Sequence, residues 1–439
     1  MLNDYTQYII SFLLGEGNEC LLNQVSYGDN PRATIVIRPS TFFEKGVYLT
    51  ENSFPKLPLK EIDGVPILFG EEKVIQNEKQ TVVYGDLVAS TFFLISRYEE
   101  CLNHEDRDSY GRLIGKKSLP YRAGFLMRPI VDEYGKLLRR WLRERGIQAI
   151  EPKEDFKHIY LTHDVDEIWQ WDNLYKALKT VAKRLIRHEK KVLESLGSLI
   201  DYQKYDSAYT FPWITQMDRK CIENNGTDKC TSVYFIKGGG KAYEDNLYYK
   251  KEQRVKKLAD YLMECGAVLG IHASMSAGKN PQELFKEKMK LEEILDKPVK
   301  WNRHHFLCSK EPEDMEALMA AGITDDFTMG YADIVGFRLG TSRAVRWINP
   351  LKKELTSLIL HPLTVMECTL DAERYMNLKE DETFEVICKL LNAVKKNHGE
   401  AVLLWHNTSV ALSETSFQRR IYERVLAMLG NCYKTTKEL

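Results

Sequence analysis

The sequence predicts an α/β protein in which a smaller α+β module precedes a larger part built on a parallel β-sheet, either open or closed as a barrel. The first observation behind this prediction is an alternation of strand-like and helix-like stretches over about 280 residues, which is typical of parallel sheets with crossover helices. The second is the polar segment 151–155, after which the pattern changes. We therefore predict a domain boundary that separates residues 1–150 from residues 151–439.

The N-terminal module is predicted to contain a short amphipathic helix, a strand and further helices. Residues 3–14 have the apolar spacing of a helix, and residues 34–38 form a predicted strand. Asp86 can begin a second helix, because its carboxylate accepts hydrogen bonds from backbone N–H groups that a helix start leaves free. Another helix is expected after Pro129, ending near Gly146. This module shows no recognisable catalytic grouping, so we expect it to pack on the larger part.

In the larger part, predicted strands alternate with predicted helices. The strands are 158–163, 231–236, 267–272, 299–305, 323–327, 355–366 and 401–406, and the helices are 212–224, 251–264, 281–295, 312–321, 381–397 and 416–429. The segment 172–210 departs from this alternation, since residues 176–191 have the spacing of a basic amphipathic helix. Such a helix either presents a solvated face or contacts an anionic lipid surface or substrate, so peripheral membrane contact stays open.

Composition excludes several classes of function. The 439 residues include 62 lysines and arginines against 63 aspartates and glutamates, a net charge of −1, so nothing indicates a nucleic-acid partner. No apolar run approaches the roughly 18 residues of a membrane span, and the start of the chain lacks the pattern of a signal peptide. Nine cysteines are scattered without a CxxC motif, which predicts reduced thiols and a cytoplasmic location.

The stretch 158–166 is the strongest functional signal in the chain. A short β-prone run leads directly into His163, Asp164 and Asp166. The two aspartates are two positions apart and therefore share one face of an extended strand. Carboxylates this close repel each other unless a cation or a protonated neighbour relieves the repulsion. One acid could simply cap a following helix, but two acids and a histidine favour a functional site.

Histidines are concentrated at the ends of predicted strands, where α/β proteins build their active sites. They are His163, His272, His304, His305, His361 and His406. Any one of them could be structural, yet together with two aspartates they favour metal-assisted hydrolysis, because imidazole and carboxylate are ligands that suit Zn²⁺. A bound cation activates water and polarises a carbonyl group. Sequence motifs of serine hydrolases, P-loop proteins and dinucleotide-binding proteins are not found.

Residues 158–430 resemble the polysaccharide deacetylase family, also called the NodB-homology carbohydrate esterases. Thr162-His163-Asp164-Val165-Asp166 is similar to the first motif of that family, and Gly270-Ile271-His272 is similar to the second. The resemblance implies that Asp164 is the catalytic base and that Asp166 and His272 bind a metal. The implied fold is a distorted (β/α)7 barrel, and the implied reaction removes an acetyl group from an N-acetylated saccharide.

The later motifs of the family have counterparts here too. Residues 303–306 resemble the third motif, which implies that Arg303 orients the base, and residues 403–406 resemble the fifth, which implies that His406 is the general acid. Asp326 lies where the acid of the fourth motif would tune the catalytic histidine. Residues 92–100 are similar to an uncharacterised module that precedes deacetylase-like domains in bacterial proteins linked to surface polysaccharides, and residues 336–343 resemble a segment specific to the same subgroup. We expect Arg338 of this second segment to face the pocket.

One position departs from the family pattern. The second motif normally has another histidine four residues after the first, and this chain has Ser276 there. His305, or in its place His361 or His163, could complete the metal site. Three hypotheses follow: a metal-dependent deacetylase, most simply with zinc; a hydrolase of other C–N bonds that uses no metal; and a non-catalytic carbohydrate-binding protein.

Overall fold

The computed structural model describes residues 3–171, 173–186, 193–310, 312–411 and 416–430, without the side chains of Lys279, Pro281 and Pro312. The chain divides into two compact units. The first unit contains Met1–Lys157, Phe306–Val365 and Lys389–Val402, and the second unit contains His158–His305, Met366–Cys388 and Leu403–Leu439. The mixed α/β class predicted from the sequence is confirmed, whereas the predicted domain boundary after residue 150 stays a prediction.

The strands and helices of the described residues follow one another along the whole chain. The strands are β1 (Val25–Tyr27), β2 (Ile35–Ile37), β3 (Lys60–Ile62), β4 (Val65–Ile67), β5 (Gly70–Gln76), β6 (Thr81–Gly85), β7 (His158–Val165), β8 (Cys230–Ile236), β9 (Val268–Ala273), β10 (Trp301–His304), β11 (Asp325–Met329), β12 (Val345–Asn349), β13 (Glu354–Pro362), β14 (Val365–Met366) and β15 (Glu400–Leu404). The helices are α1 (Asp4–Leu14), α2 (Leu87–Ile95), α3 (Tyr98–Leu102), α4 (Leu119–Arg122), α5 (Ile130–Glu144), α6 (Leu174–Ile186), α7 (Glu194–Ile200), α8 (Tyr202–Tyr205), α9 (Phe211–Asn225), α10 (Glu252–Glu264), α11 (Pro281–Leu295), α12 (Pro312–Ala320), α13 (Glu367–Asp371), α14 (Glu380–Lys396) and α15 (Gln418–Leu429).

The first unit contains a small sheet in the order β1-β2-β6-β5, in which β5 is antiparallel to β6 and the other pairs are parallel. Helix α2 is buried along its whole length, as expected for an apolar segment in a core. It begins where the sequence predicted, because the Asp86 carboxylate accepts a hydrogen bond of 2.8 Å from the backbone N–H of Ala89. Strands β11 and β13 are parallel in this unit, and β12 is antiparallel to β13.

Buried ion pairs hold the segment 336–343 against N-terminal residues of the first unit. The Arg338 guanidinium donates to both oxygens of the Glu100 carboxylate, at 2.9 and 2.6 Å. Arg97 donates to the same carboxylate at 2.6 Å, and Arg343 contacts Asp132 at 2.8 Å. Arg338 is buried in this ion-pair network, so it joins two distant parts of the sequence within the first unit. Its place at the pocket stays a prediction.

The second unit contains four consecutive parallel strands, β7 to β10, each hydrogen-bonded to the next. Helices α9, α10 and α11 lie in the three connections between these strands, which is the alternation that the sequence predicted. Leu403 and Trp405 lie beside β7, since the Thr162 hydroxyl donates to the Leu403 carbonyl at 2.5 Å and the Trp405 N–H donates to the Thr162 carbonyl at 3.0 Å. Parallel strands bring their carboxyl ends to one edge of the sheet, and this edge carries the site.

The predicted basic helix is present as α6, which ends at Ile186; residues 187–191 of that prediction lie outside the described residues. Apolar side chains on α6 are exposed as well as basic ones, among them Leu178 and Ile186. Membrane contact through this helix stays a prediction. Among the described helices, none combines the length and the apolar character needed to cross a bilayer.

Candidate functional site

The site begins at the end of β7, where alternate residues point to one side of the strand. Thr162 and Asp164 are both buried and both contact the Arg303 guanidinium, whose Nη1 lies 2.6 Å from the Thr162 hydroxyl and 3.1 Å from Asp164 Oδ1. Arg303 is itself fully buried and packs over the Phe235 ring, with 4.7 Å from its Cζ to the ring centroid. The guanidinium therefore fixes Oδ1 of the Asp164 carboxylate, while Oδ2 remains available to accept a proton.

The free oxygen of Asp164 faces two imidazole rings. Asp164 Oδ2 lies 3.6 Å from His272 Nε2 and 3.9 Å from His406 Nε2. His272 comes from the end of β9 and His406 from the chain just after β15. The structure thus brings together residues that are more than 100 positions apart in the sequence, as the strand-end pattern predicted.

Asp166, His272 and His305 form a group whose ligand atoms all lie within 4.8 Å of one another. Asp166 Oδ1 is 3.4 Å from His272 Nε2 and 3.2 Å from His305 Nε2. Each histidine contacts an acceptor through Nδ1: the Arg303 carbonyl at 2.9 Å for His272 and the Asp245 carboxylate at 3.1 Å for His305. Because Nδ1 must donate to these acceptors, a neutral ring leaves the lone pair on Nε2, the arrangement that metal-binding histidines use.

The protonation of this group follows from burial and charge. Burial lowers the pKa of His272 below its ordinary value, which favours the neutral ring that can bind a metal. Burial would raise the pKa of Asp166, but the nearby Lys237 ammonium and His305 hold that pKa well below its usual range. Burial likewise opposes ionisation of Asp245, yet hydrogen bonds from His305 and from backbone N–H groups lower its pKa to about 2.

Ser276, which stands where the resemblance predicts a second histidine, contacts Asp245. Its hydroxyl donates to Asp245 Oδ2 at 3.1 Å and accepts a hydrogen bond of 2.7 Å from the backbone N–H of Lys241. Asp245 in turn contacts His305. Ser276 therefore supports the acid that orients His305, and His305 is the imidazole that lies with Asp166 and His272.

Lys237 is a site residue that the sequence analysis did not name. Its side chain is buried, and its Nζ lies 3.1 Å from Asp166 Oδ1 and 3.2 Å from His305 Nε2. The available signal was its place in the sequence: it directly follows strand β8 and precedes three glycines. A lysine at the carboxyl end of a central strand is unusual enough to be a candidate, because buried lysines are rare unless they are paired.

His406 is held by Glu367, a second residue that the sequence analysis did not name. Glu367 Oε1 lies 2.7 Å from His406 Nδ1 and also accepts from the His406 backbone N–H at 2.9 Å and from the Ser409 hydroxyl at 2.5 Å. His406 Nε2 then points toward the acids, 3.6 Å from Asp166 Oδ2. The Cys368 thiol lies 3.6 Å from His406 Nδ1, so Glu367, Cys368 and His406 form a second group of candidate ligands.

The charges of the Glu367–His406 pair favour a role for His406 as a proton donor. Burial alone would lower the pKa of His406, but the Glu367 carboxylate raises it well above the ordinary value for histidine. Burial opposes ionisation of Glu367, yet His406 and Ser409 lower its pKa to about 2. The raised pKa favours the protonated ring of His406, which can give its Nε2 proton to a leaving group.

Asp326 lies in the first unit, on β11. Its carboxylate accepts hydrogen bonds from Thr328, at 3.1 Å from the backbone N–H and at 2.7 Å from the hydroxyl. The carboxylate that contacts His406 in the second unit is that of Glu367. The role of Asp326 in tuning the general acid stays a prediction.

The two other histidines considered as metal ligands have different partners. His163 contacts the Trp405 carbonyl through Nδ1 at 2.9 Å and Asp218 through Nε2 at 3.1 Å. His361, in the first unit, lies between Glu400 at 2.7 Å and Asp325 at 3.1 Å. Both nitrogens of each ring are thus engaged by protein oxygens, which leaves His305 as the histidine that joins Asp166 and His272.

We expect His361 to stabilise the protein in a pH-dependent way. Burial would lower its pKa, but Glu400 and Asp325 raise the pKa to about 9. A raised pKa contributes stability that is complete below the unfolded value of about 6.5 and is lost as pH rises through the folded value. The difference in unfolding free energy between wild type and His361→Gln, measured with urea, should shrink between about pH 6 and pH 10; a difference that does not change with pH would contradict this assignment.

Comparisons with known proteins leave the activity open. Residues 6–147 match the model of a family of unknown function, DUF7033, and none of the curated proteins compared with the chain matches it. A protein from Mycobacterium smegmatis that carries the provisional name polysaccharide deacetylase is 13% identical, with a TM-score of 0.39, 64% of this chain covered and 86% of that chain.

Two further solved structures are similar at the same level. A probable polysaccharide deacetylase from Pseudomonas aeruginosa PAO1 is 9% identical, with a TM-score of 0.36, 63% of this chain and 87% of that chain covered. A mutant of a CE4-family pseudoenzyme with restored enzymatic activity is 13% identical, with a TM-score of 0.30, 65% of this chain and 69% of that chain covered. Likenesses this weak decide neither fold nor activity, so the site residues themselves carry the proposal that follows.

Proposed function

We propose that this protein is a hydrolase of amide bonds that removes acetyl groups from N-acetylated saccharides or saccharide precursors in surface polysaccharide metabolism. The observation that carries the proposal is the pairing of a buried carboxylate with an imidazole: Asp164 Oδ2 and His406 Nε2 lie 3.9 Å apart. Arg303 contacts the other oxygen of Asp164, and Glu367 contacts the other ring nitrogen of His406. We further propose that residues 151–439 form the distorted (β/α)7 barrel of the deacetylases and residues 1–150 an accessory module.

The proposed reaction uses the two groups as base and acid. Asp164 takes a proton from a water molecule while the water oxygen bonds to the carbonyl carbon of the acetamide. His406 gives its Nε2 proton to the amide nitrogen as the C–N bond breaks, which releases acetate and a free amine. Arg303 holds the Asp164 carboxylate in position through this step, and Glu367 keeps His406 in the protonated form and in the required orientation.

The donor set fits a divalent metal such as zinc. Asp166, His272 and His305 would hold it, because their ligand atoms all lie within 4.8 Å of one another. When bound, such an ion supplies a Lewis acid that polarises the carbonyl group and acidifies water. The Lys237 ammonium, however, lies 3.1 Å from Asp166 Oδ1 and supplies a positive charge from the protein itself.

This lysine favours a second candidate, a hydrolase of C–N bonds that works without a metal. In that case activity should survive a chelator and be lost in Asp164→Asn.

The first test is release of acetate from N-acetylated glucosamine oligosaccharides by the wild-type protein, with and without chelator. Loss of activity on chelation, restored by zinc, supports the metal-dependent form. Carbohydrate binding without any turnover, unaffected by Asp164→Asn, would instead support the non-catalytic hypothesis.

Glu367 is predicted to be a positioning residue for the general acid. In Glu367→Gln, burial still lowers the pKa of His406 while the charge that raised it is gone, so that pKa should fall. We expect the basic limb of the kcat profile to move to lower pH, and the NMR titration of the His406 ring to move with it. A lower kcat with an unchanged profile would contradict the assignment, because a purely structural effect leaves the profile in place.

A further inference from the structure

The side chain of Lys237 is buried at the carboxyl end of β8. The side chain is only 1% exposed, and burying an unpaired ammonium is very costly, so its partners matter. Those partners are Asp166 Oδ1 at 3.1 Å and His305 Nε2 at 3.2 Å. A carboxylate oxygen and an imidazole nitrogen with a lone pair can both accept hydrogen bonds from an ammonium.

The backbone of Lys237 is fixed as firmly as its side chain. The Lys237 N–H donates to the Tyr248 hydroxyl at 2.7 Å, and that hydroxyl donates to the Val165 carbonyl at 2.8 Å. Tyr248 is buried. The Tyr248 hydroxyl therefore links the backbone at the end of β8 to Val165 at the end of β7, one residue before Asp166. These hydrogen bonds fix the backbone from which the Lys237 side chain extends.

The ammonium shares its acceptors with the candidate metal group. Asp166 and His305 are two of the three residues whose ligand atoms lie within 4.8 Å of one another. A divalent ion bound by these atoms would lie within a few ångströms of Nζ, where the repulsion between an ammonium and a dication is strong because solvent screens buried charges only weakly. The two cations therefore compete for the same acceptors.

We propose that Lys237 is the resident cation of this site, so that its ammonium takes the place of a divalent metal beside Asp166 and His305 and keeps metal affinity low. The inference deepens the proposed function, since it concerns the same site, but it depends only on the charges there. A protein-borne cation also accounts for Ser276: Asp166, His272 and His305 need not form a strong metal site when the positive charge is already covalently attached.

The test measures zinc binding and needs no substrate. Lys237→Met keeps an unbranched stem and removes the charge, and Lys237→Gln removes the charge while keeping an N–H donor for Asp166. Both variants should bind zinc at least about tenfold more tightly than wild type in calorimetric titrations, since the repulsion from Nζ is gone. Wild type dialysed against zinc and then against metal-free buffer should retain less than one equivalent by atomic absorption.

Lys288→Met is the matched control. Lys288 is also a largely buried lysine of the second unit, 13% exposed and 2.6 Å from Glu292 on α11, but it contacts none of the site residues named here. Its loss should leave zinc affinity as in wild type. Thermal unfolding of each variant shows whether it is folded before titration.

Two results would overturn the proposal. One is zinc affinity in the folded Lys237 variants no higher than in wild type. The other is wild type that retains a full equivalent of zinc through dialysis, which decides the matter even where neither variant folds. Failure of the proposed function is visible separately, because acetate release can be absent while the zinc affinities of wild type and variants still differ as expected.

Discussion

Replacing Asp164 with asparagine is expected to lower kcat for amide hydrolysis by about 10²- to 10⁴-fold, the range typical for loss of a general base. Asparagine keeps the shape of the side chain and can still accept a hydrogen bond from Arg303, which contacts Asp164 Oδ1 at 3.1 Å. It cannot take a proton from water. The effect should therefore appear in kcat, with KM changed much less.

The measurement is steady-state release of acetate from N-acetylated glucosamine oligosaccharides. The matched control is Asp260→Asn, which removes an acid of the same unit that pairs with Lys256 at 3.2 Å and is 46% exposed; its kcat should equal that of wild type. Wild-type turnover by a folded Asp164→Asn variant would remove Asp164 from the mechanism.

The second large effect concerns stability. Glu100→Gln is expected to reduce the free energy of unfolding by about 3–5 kcal/mol, the range for breaking a buried ion pair by removing one partner. The Glu100 carboxylate receives Arg97 and Arg338, each at 2.6 Å, and all three side chains are buried. Glutamine leaves two buried guanidinium groups without their counter-charge, and these groups join residues more than 200 positions apart.

This effect also has a predicted pH dependence. Burial opposes ionisation of Glu100, but Arg338 and Arg97 lower its pKa far below the ordinary value for glutamate. Stability from a depressed pKa is present above the unfolded value of about 4.5 and is lost as pH falls below it. Wild type and Glu100→Gln should therefore differ most near neutral pH and converge in acid.

Urea unfolding at several pH values measures both effects. Glu133→Gln is the control, because Glu133 makes a more exposed pair with Arg128, at 2.5 Å and with 21% and 42% of the side chains exposed. Its replacement should cost less than about 1 kcal/mol. Equal losses in the two variants would show that the buried network contributes no more than a surface pair.

The strand ends of the second unit could be predicted because the rule behind them is local. A buried apolar run followed by a polar residue marks the carboxyl end of a strand, and parallel strands bring those ends together. Asp164, His272 and His406 each follow such a run, and in the structure both imidazoles lie within 4 Å of Asp164 Oδ2. Their catalytic roles stay predictions until they are measured.

Lys237 and Glu367 were missed because their functional signal is not local. A lysine after a strand reads as a solvated residue unless its partners are known, and Glu367 opens a short helix where an acid is ordinary. The compact grouping of residues 306–365 with the N-terminal residues likewise has no local signal. It depends on pairs such as Glu100 with Arg338, which have no periodicity that a sequence pattern could reveal.

A double-mutant cycle on Asp164 and His406 tests most directly whether the two residues catalyse one reaction together. Acetate release is measured for wild type, Asp164→Asn, His406→Gln and the double variant. Residues that act as a unit lose activity non-additively, so we expect the double variant to be within about threefold of the slower single variant. Losses that multiply, or single variants that turn over like wild type, would contradict a shared acid–base mechanism at this site.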